Sequence, residues 1–241
     1  MPEAMQSNPE VGNRPEGTIP SRQWGIRIHS AYFLAALVLM IVSTPFFDDY
    51  RSGIIQAVLV TLVFLSAVLA IGGSYRTLAW GSVLSVPALV GKWANYWWPD
   101  LVTPEYFLLP AMLFTGFIVF HILSFTLRAP RVSSGVLCAA IANYLMLGLL
   151  WSFSYTLVAR LVPDSFSFSE AGHTMTGFNG LYFSFATLCT VGYGDIAPVS
   201  DVARILAMAE AVVGMVYMTV LVARLVSMYS SKTSADSAGE S

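Results

Sequence analysis

The sequence has little charge. Only 11% of its 241 residues are Asp, Glu, Lys or Arg, while 56% are hydrophobic and the mean hydropathy is +0.68. Soluble domains carry roughly a quarter of their residues charged, so this composition points to a membrane protein. There is no basic block and the net charge is -2, which removes the electrostatic case for nucleic-acid binding. Cysteine is scarce as well. Cys138 and Cys189 stand far apart in apolar contexts, giving neither a disulfide framework nor a zinc-ligand spacing, and they read as inert core thiols. No basic-then-apolar secretory signal opens the chain: "MPEAMQSNPEVGNRPEGTIPS" is polar, Pro-rich and partly acidic. It reads as most of a disordered cytoplasmic leader over 1–27. His29 and His121 read as packing residues and His173 as part of an outer turret, and none has a metal-ligand or catalytic partner at a telling spacing. With no nucleophile, base and orienting group converging, an enzyme is not expected.

Long apolar runs are what the chain has in abundance. A helix crossing the bilayer core takes about 20 apolar residues, and six spans are expected over 28–47, 54–72, 77–96, 106–127, 135–161 and 202–229. The third is the least apolar, because it carries Gly81, Pro87, Gly91 and Lys92. Positive charge is retained on the cytoplasmic side. With the N-terminus inside, Arg14, Arg22, Arg27, Arg76, Arg128, Arg131, Arg224 and Lys232 are cytoplasmic, against Arg51, Lys92, Arg160 and Arg204 outside. That is 8 of the 12 cations against 4, which places both termini in the cytoplasm of a multi-pass cell-membrane protein. Asp48, Asp49, Asp100, Glu105, Asp164, Glu170, Asp195 and Asp201 then fall outside, and Trp93, Tyr96, Trp97 and Trp98 form an outer interfacial belt. Arg128 and Arg131 read as topology markers rather than ligands of anionic lipid.

Between the fifth and sixth spans lies "NGLYFSFATLCT", an apolar run too short to cross and therefore re-entrant. Asn179 is placed to cap a helix over about 180–189, after which "TVGYGD" at 190–195 returns outward. Non-helical backbone at membrane depth is tolerated only where protein buries it or where it lines a water-filled path. Gly192 and Gly194 alternate with Val191 and Tyr193, so every second residue can take a positive φ and successive carbonyls turn to one side. One chain supplies a single column of oxygens. Several copies around an axis are needed to replace an ion's hydration shell.

The "TVGYGD" run, behind a short helix and between two spans, resembles the selectivity filter of potassium channels. The resemblance covers about 136–229, and "ANYLMLGLLWSFSYTLV" is similar to the outer helices of small prokaryotic channels of this class. It implies an all-α membrane protein with six transmembrane helices, a re-entrant pore helix and filter loop between helices five and six, and a homotetrameric assembly. The leader 1–27 would be followed by a four-helix transmembrane domain over 28–131, a pore domain over 132–230 and a disordered tail over 231–241. Carbonyls of Thr190, Val191, Gly192 and Tyr193, with the Thr190 hydroxyl, are the implied K+ sites, and Gly194 completes the loop. The Tyr193 ring would brace the filter against neighbouring pore helices. Tyr182 stands with Phe183 where many relatives have two Trp, and is expected to hold Asp195 behind the filter, with Thr187 and Glu210 as further support. K+ is the permeant ion, no cofactor is implied, and membrane lipid and a separate regulatory subunit are the other partners considered.

Five positions keep two readings each. Gly214, 19 residues after Asp195, is either a gating hinge, as in many relatives, or a close-packing residue. Glu210, the one acid well inside a span, either bonds the pore helix near Thr187 or gates with pH. Met218 and Val222, with Val226, either line a hydrophobic constriction or pack against neighbours. The fourth run, "YFLLPAMLFTGFIVFHILSFTL", contains His121 but no arginine. Steep voltage dependence needs about 3–4 moving charges per subunit, so passive, weakly voltage-dependent conduction is expected. The first four helices are left with assembly, lipid contact or modulation. The competing readings are a potassium-transport subunit, a class that usually carries four degenerate pore loops in one long chain, and a non-conducting regulatory or scaffold protein.

Overall fold

The computed structural model describes residues 21–46, 53–71, 75–98, 105–129, 134–170 and 172–239. Along them run α1 (Ser21–Ser43, closed by a 3-10 turn at Thr44–Phe46), α2 (Gly53–Ile71), α3 (Tyr75–Trp97), α4 (Glu105–Arg128) and α5 (Ser134–Leu161). Then come β1 (Phe166–Phe168), α6 (Phe178–Leu188), β2 (Ile196–Pro198) and α7 (Asp201–Gly239). Residues 1–20 of the expected leader, together with Asp48, Asp49, Arg51, Asp100 and Arg131, lie outside the described residues.

Among the described residues three helices are long and apolar enough to cross a membrane: Phe107–Arg128, Ser134–Leu161 and Asp201–Arg224. The described apolar parts of α1 and α2, Ser30–Phe46 and Ile54–Ala70, are shorter. The third expected span forms one helix that runs on through Pro87. Both ends of the chain depart from the expected boundaries. Helix α1 starts at Ser21, inside the leader, and α7 continues to Gly239, through most of the expected tail. Lys232, Ala235 and Ala238 are strong helix formers, and extending a nucleated helix costs far less than starting one.

Helices α1 to α4 pack on one another, and α1 and α4 pack against α5. Phe33, Leu37, Val63, Phe114 and Ile118 form the centre of that core, with the Phe64 and Phe114 rings 4.4 Å apart. Alanines without any exposure, Ala57, Ala67, Ala88 and Ala111, let the backbones approach closely, as small residues do where lipid supplies no hydrophobic drive. Trp93 leaves the expected interfacial belt: its indole N–H donates to Thr61 Oγ1 at 3.1 Å and ties α3 to α2. Trp97 and Trp98 remain exposed.

Helix α5 carries the bundle on one side and α6 on the other. The start of α6 corrects the expectation for Asn179. Its N-cap is Gly177, and Asn179 sits inside the first turn with Nδ2 donating to the Thr174 carbonyl at 2.9 Å. At its other end α6 lies directly on α7. A Cβ added at Gly214 would stand 2.4 Å from the Leu188 carbonyl oxygen, and backbone in a packed helix end has no room to yield. The close-packing reading of Gly214 is therefore the one this geometry favours. Gly214→Ala is expected to cost about 1–3 kcal/mol through overpacking, read as a lowered unfolding midpoint of the purified protein. An unchanged midpoint would return the position to the hinge reading.

Candidate functional site

Helix α6 ends in a Schellman motif. The Thr190 N–H bonds the Thr187 carbonyl at 2.9 Å and the Val191 N–H bonds the Ala186 carbonyl at 2.8 Å. The residue in the left-handed position of such a cap is usually glycine. Here it is Thr190, with φ of 57°. A β-branched residue held there is strained. Gly192 and Gly194 follow with φ of 56° and 81°, so left-handed backbone recurs at 190, 192 and 194. The alternation expected from the two glycines thus begins one step earlier, at a residue whose side chain gave no sign of it.

After Gly194 the chain is tied to the turret. The Asp195 carbonyl accepts the Ser169 N–H at 2.9 Å and the Ser169 hydroxyl at 3.1 Å. Strand β2 pairs antiparallel with β1, Ser167 opposite Ala197. The Tyr193 ring stacks on Tyr182 of the same chain, centroids 6.0 Å apart and planes within 7°. Tyr182 and Asp195 line one surface hollow beside β1. Residues 189–195 are all exposed on the single chain. That includes Cys189, which caps α6 with its Sγ 3.5 Å from the Tyr144 hydroxyl and so is not the core thiol expected.

Glu210 of α7 is fully buried. Its partners are Ser184, one turn before Thr187 on α6 and 2.5 Å from Oε1, and the Tyr155 hydroxyl of α5, which donates to Oε2. The carboxyl therefore joins the three helices α5, α6 and α7 at one point. Ser184 also stands 2.7 Å from the Gly148 carbonyl. A hydroxyl has one proton to give, so both Ser184 contacts are hydrogen bonds only when the carboxyl itself donates to Ser184, which passes its own proton to Gly148. Tyr155 and Ser184 escaped the sequence reading because a hydroxyl in an apolar helix carries no mark of what it faces. Further along α7, Met218 and Val222 are exposed on the single chain, 44% and 52%, and Gly214 is covered by Leu188.

The Glu210 junction makes a prediction. Glu210→Gln supplies an N–H for Ser184 and a carbonyl for Tyr155, and is expected to keep the unfolding midpoint near that of the wild type. Glu210→Leu strands both hydroxyls in a buried site, at about 1–3 kcal/mol for each, and is expected to lower the midpoint clearly. Equal midpoints for the Gln and Leu variants would show that the junction contributes nothing.

Comparison with known proteins bears on the same segment. A family described as "Ion channel" matches residues 138–231, from the second turn of α5 through the loop and into α7. Two pore potassium channel c of Oryza sativa subsp. japonica is 36% identical over 66 residues, 27% of this chain and 14% of the relative. Two-pore potassium channel 1 of Arabidopsis thaliana is 40% identical over 85 residues, 35% of this chain and 20% of the relative. Two-pore potassium channel 3 of the same plant is 41% identical over 49 residues, 20% of this chain and 11% of the relative. The chain thus spans only a small part of the length of these relatives. No solved structure matches the chain. These likenesses are to channels and not to enzymes. Residues 138–231 of this multi-pass membrane protein are thus similar to an ion-channel family and, over part of that segment, to plant two-pore potassium channels.

Proposed function

We propose that four copies of this chain assemble around the 190–195 loop and conduct K+ passively across a cell membrane, without a resident cofactor. The observation that carries the reading is the left-handed backbone at Thr190, Gly192 and Gly194. Backbone of alternating hand turns the carbonyls of Thr190, Val191, Gly192 and Tyr193 to one side, where four such columns replace a hydration shell. The strain at Thr190 supports it. Glycine satisfies that cap at lower cost, so retaining threonine makes sense if its hydroxyl is a ligand. Helix α6 aims its partial negative end at the space below the loop, which favours a cation there.

Assembly follows from what the single chain leaves open. Of the apolar window of α7, 17% is buried by the chain itself, against 50% for α5. Val191 and Tyr193 are 52% and 71% exposed. Open, non-helical backbone of this kind has no place in lipid, and neighbouring copies are the natural cover. In this reading six helices span the membrane with both termini cytoplasmic, Tyr182 and Asp195 support the filter, and Met218 and Val222 line the path below it. In the described part of α4 Arg128, in the last turn, is the one arginine, which supports conduction with weak voltage dependence.

The test is cation flux into proteoliposomes containing the purified protein. K+ flux exceeding Na+ flux and blocked by barium is expected, and Gly192→Ala is expected to abolish most of it by disturbing a left-handed residue that costs about 1–2 kcal/mol outside glycine. Thr190→Gly is expected to leave the unfolding midpoint unchanged or higher while K+ selectivity falls. An assembled tetramer without flux at any pH or voltage would overturn the channel reading in favour of a scaffold.

A further inference from the structure

A second site lies away from the loop. Helices α4 and α7 both pack on α5, and between them runs a crevice of about 340 Å³. Its walls are apolar: Leu123 and Leu127 of α4, Leu147 of α5, and Val216 and Val220 of α7. Leu127, Val216 and Val220 are half exposed on the single chain. The three helices that form the crevice are the three long and apolar enough to cross a membrane, so it lies at membrane depth. Thr126 and Arg224 line one end of it. Both stand in the last turn of their spans, which end at Arg128 and Arg224, the level at which lipid headgroups begin.

Two observations at that end point to a ligand. Thr126 is 4% exposed and its hydroxyl has no hydrogen-bond partner, although Thr61, Thr156 and Thr219 each donate to the carbonyl four residues back in their helices. Arg224 donates to the Thr126 carbonyl, so the guanidinium and this hydroxyl meet at one residue. The carbonyls that Arg224 holds carry no net charge. Asp and Glu are absent from 17–47, 50–99, 106–163 and 211–235, so the helices around this end, in this chain or in a copy of it, bring no carboxylate to Arg224. A cation at the edge of the hydrocarbon is best placed beside an anion.

We propose that the crevice holds one acyl chain of an anionic phospholipid, its phosphate at Arg224 and an ester carbonyl accepting the Thr126 hydroxyl. An acyl chain meets the apolar walls without stranding a polar group. A phosphatidylcholine would match the walls equally well but bring a trimethylammonium group towards Arg224. Met218 and Val222 are not among the crevice residues, so a lipid here leaves the proposed path below the loop open.

The experiment is native mass spectrometry of the full-length, detergent-purified protein, with phosphatidylglycerol and phosphatidylcholine of the same acyl chains added in equal amounts. One retained phospholipid per chain is expected, with phosphatidylglycerol preferred about fivefold, the contribution of one arginine at a membrane surface. Val216→Trp, which fills the crevice from a half-exposed position, is expected to remove the retained lipid at an unchanged oligomer mass. Arg224→Gln keeps an N–H for the α4 carbonyls and is expected to abolish the preference. Arg128→Gln is the control, because Arg128 is exposed on the same turn of α4 but does not line the crevice; the preference is expected to survive it. No retained lipid, equal retention of the two lipids, retention that survives Val216→Trp, or a preference lost equally in Arg128→Gln would overturn the proposal. So would loss of the oligomer in Val216→Trp, which would show that a second copy of the chain covers the crevice. If one of Val216→Trp and Arg224→Gln does not fold, the other decides. No ion flux is read, so failure here leaves the channel reading standing, and failure of flux leaves this site standing.

Discussion

The Leu188 carbonyl fixes where α6 ends, and everything at the loop is positioned from there. The Tyr144 hydroxyl donates to it at 3.2 Å, and Gly214 closes against it with no side chain between. Tyr144 in turn packs on Tyr217, ring centroids 5.6 Å apart, and the Tyr217 hydroxyl donates to the Ala140 carbonyl at 2.7 Å. These contacts clamp α5, α6 and α7 below the loop, and the Glu210 junction clamps the same three helices one level up. Above, Ser169 and the short ribbon hold the returning strand. The loop is thus held at both ends by polar contacts, and between them Tyr193 stacks on Tyr182 while residues 191–194 stay exposed on the single chain.

Thr190 is where local preference and the fold disagree. The Schellman end calls for glycine and the chain has a β-branched residue there. Proteins that obey local rules elsewhere and break one at a given spot tend to do so at a functional position. The neighbouring glycines show that glycine was within reach at alternate positions, which makes the exception at 190 a choice of hydroxyl over ease of backbone. The same contrast separates Asn179 from its expected role: an amide suited to a cap was used instead to fasten the preceding turn at Thr174, leaving the start of α6 open.

Motif and glycine spacing made the loop legible in the sequence, because φ is decided locally and glycine advertises it. Helix lengths were legible too, within several residues, from apolar runs. What stayed hidden depends on rotation about helix axes. In α5 and α7 nearly every residue is apolar, so periodicity could not say that Gly214 faces Leu188, that Glu210 meets Ser184 and Tyr155, or that Cys189 caps a helix at the surface. Lys92 was read as an outer charge and Trp93 as part of a belt for the same reason: each sits near a helix end, where pointing outward and pointing into the bundle look alike in sequence.

The part played by the first four helices follows from where they touch the pore segment. At the end of α4, the Arg224 guanidinium of α7 donates to the Thr126 carbonyl, and through Nη2 to the Ala129 carbonyl at 2.5 Å. The last carbonyls of any helix lack intrahelical donors, and a cation there also meets the negative end of the helix dipole. Moving this end of α7 away would strand those carbonyls in an apolar setting, so α4 and α7 are bound to shift together or separate at a cost. The bundle therefore holds the 138–231 segment through Arg224 at the far end of α7 as well as along α5. No charge ladder on α4 is needed to tie α4 to α7, because the cation belongs to α7 and α4 supplies the backbone it holds.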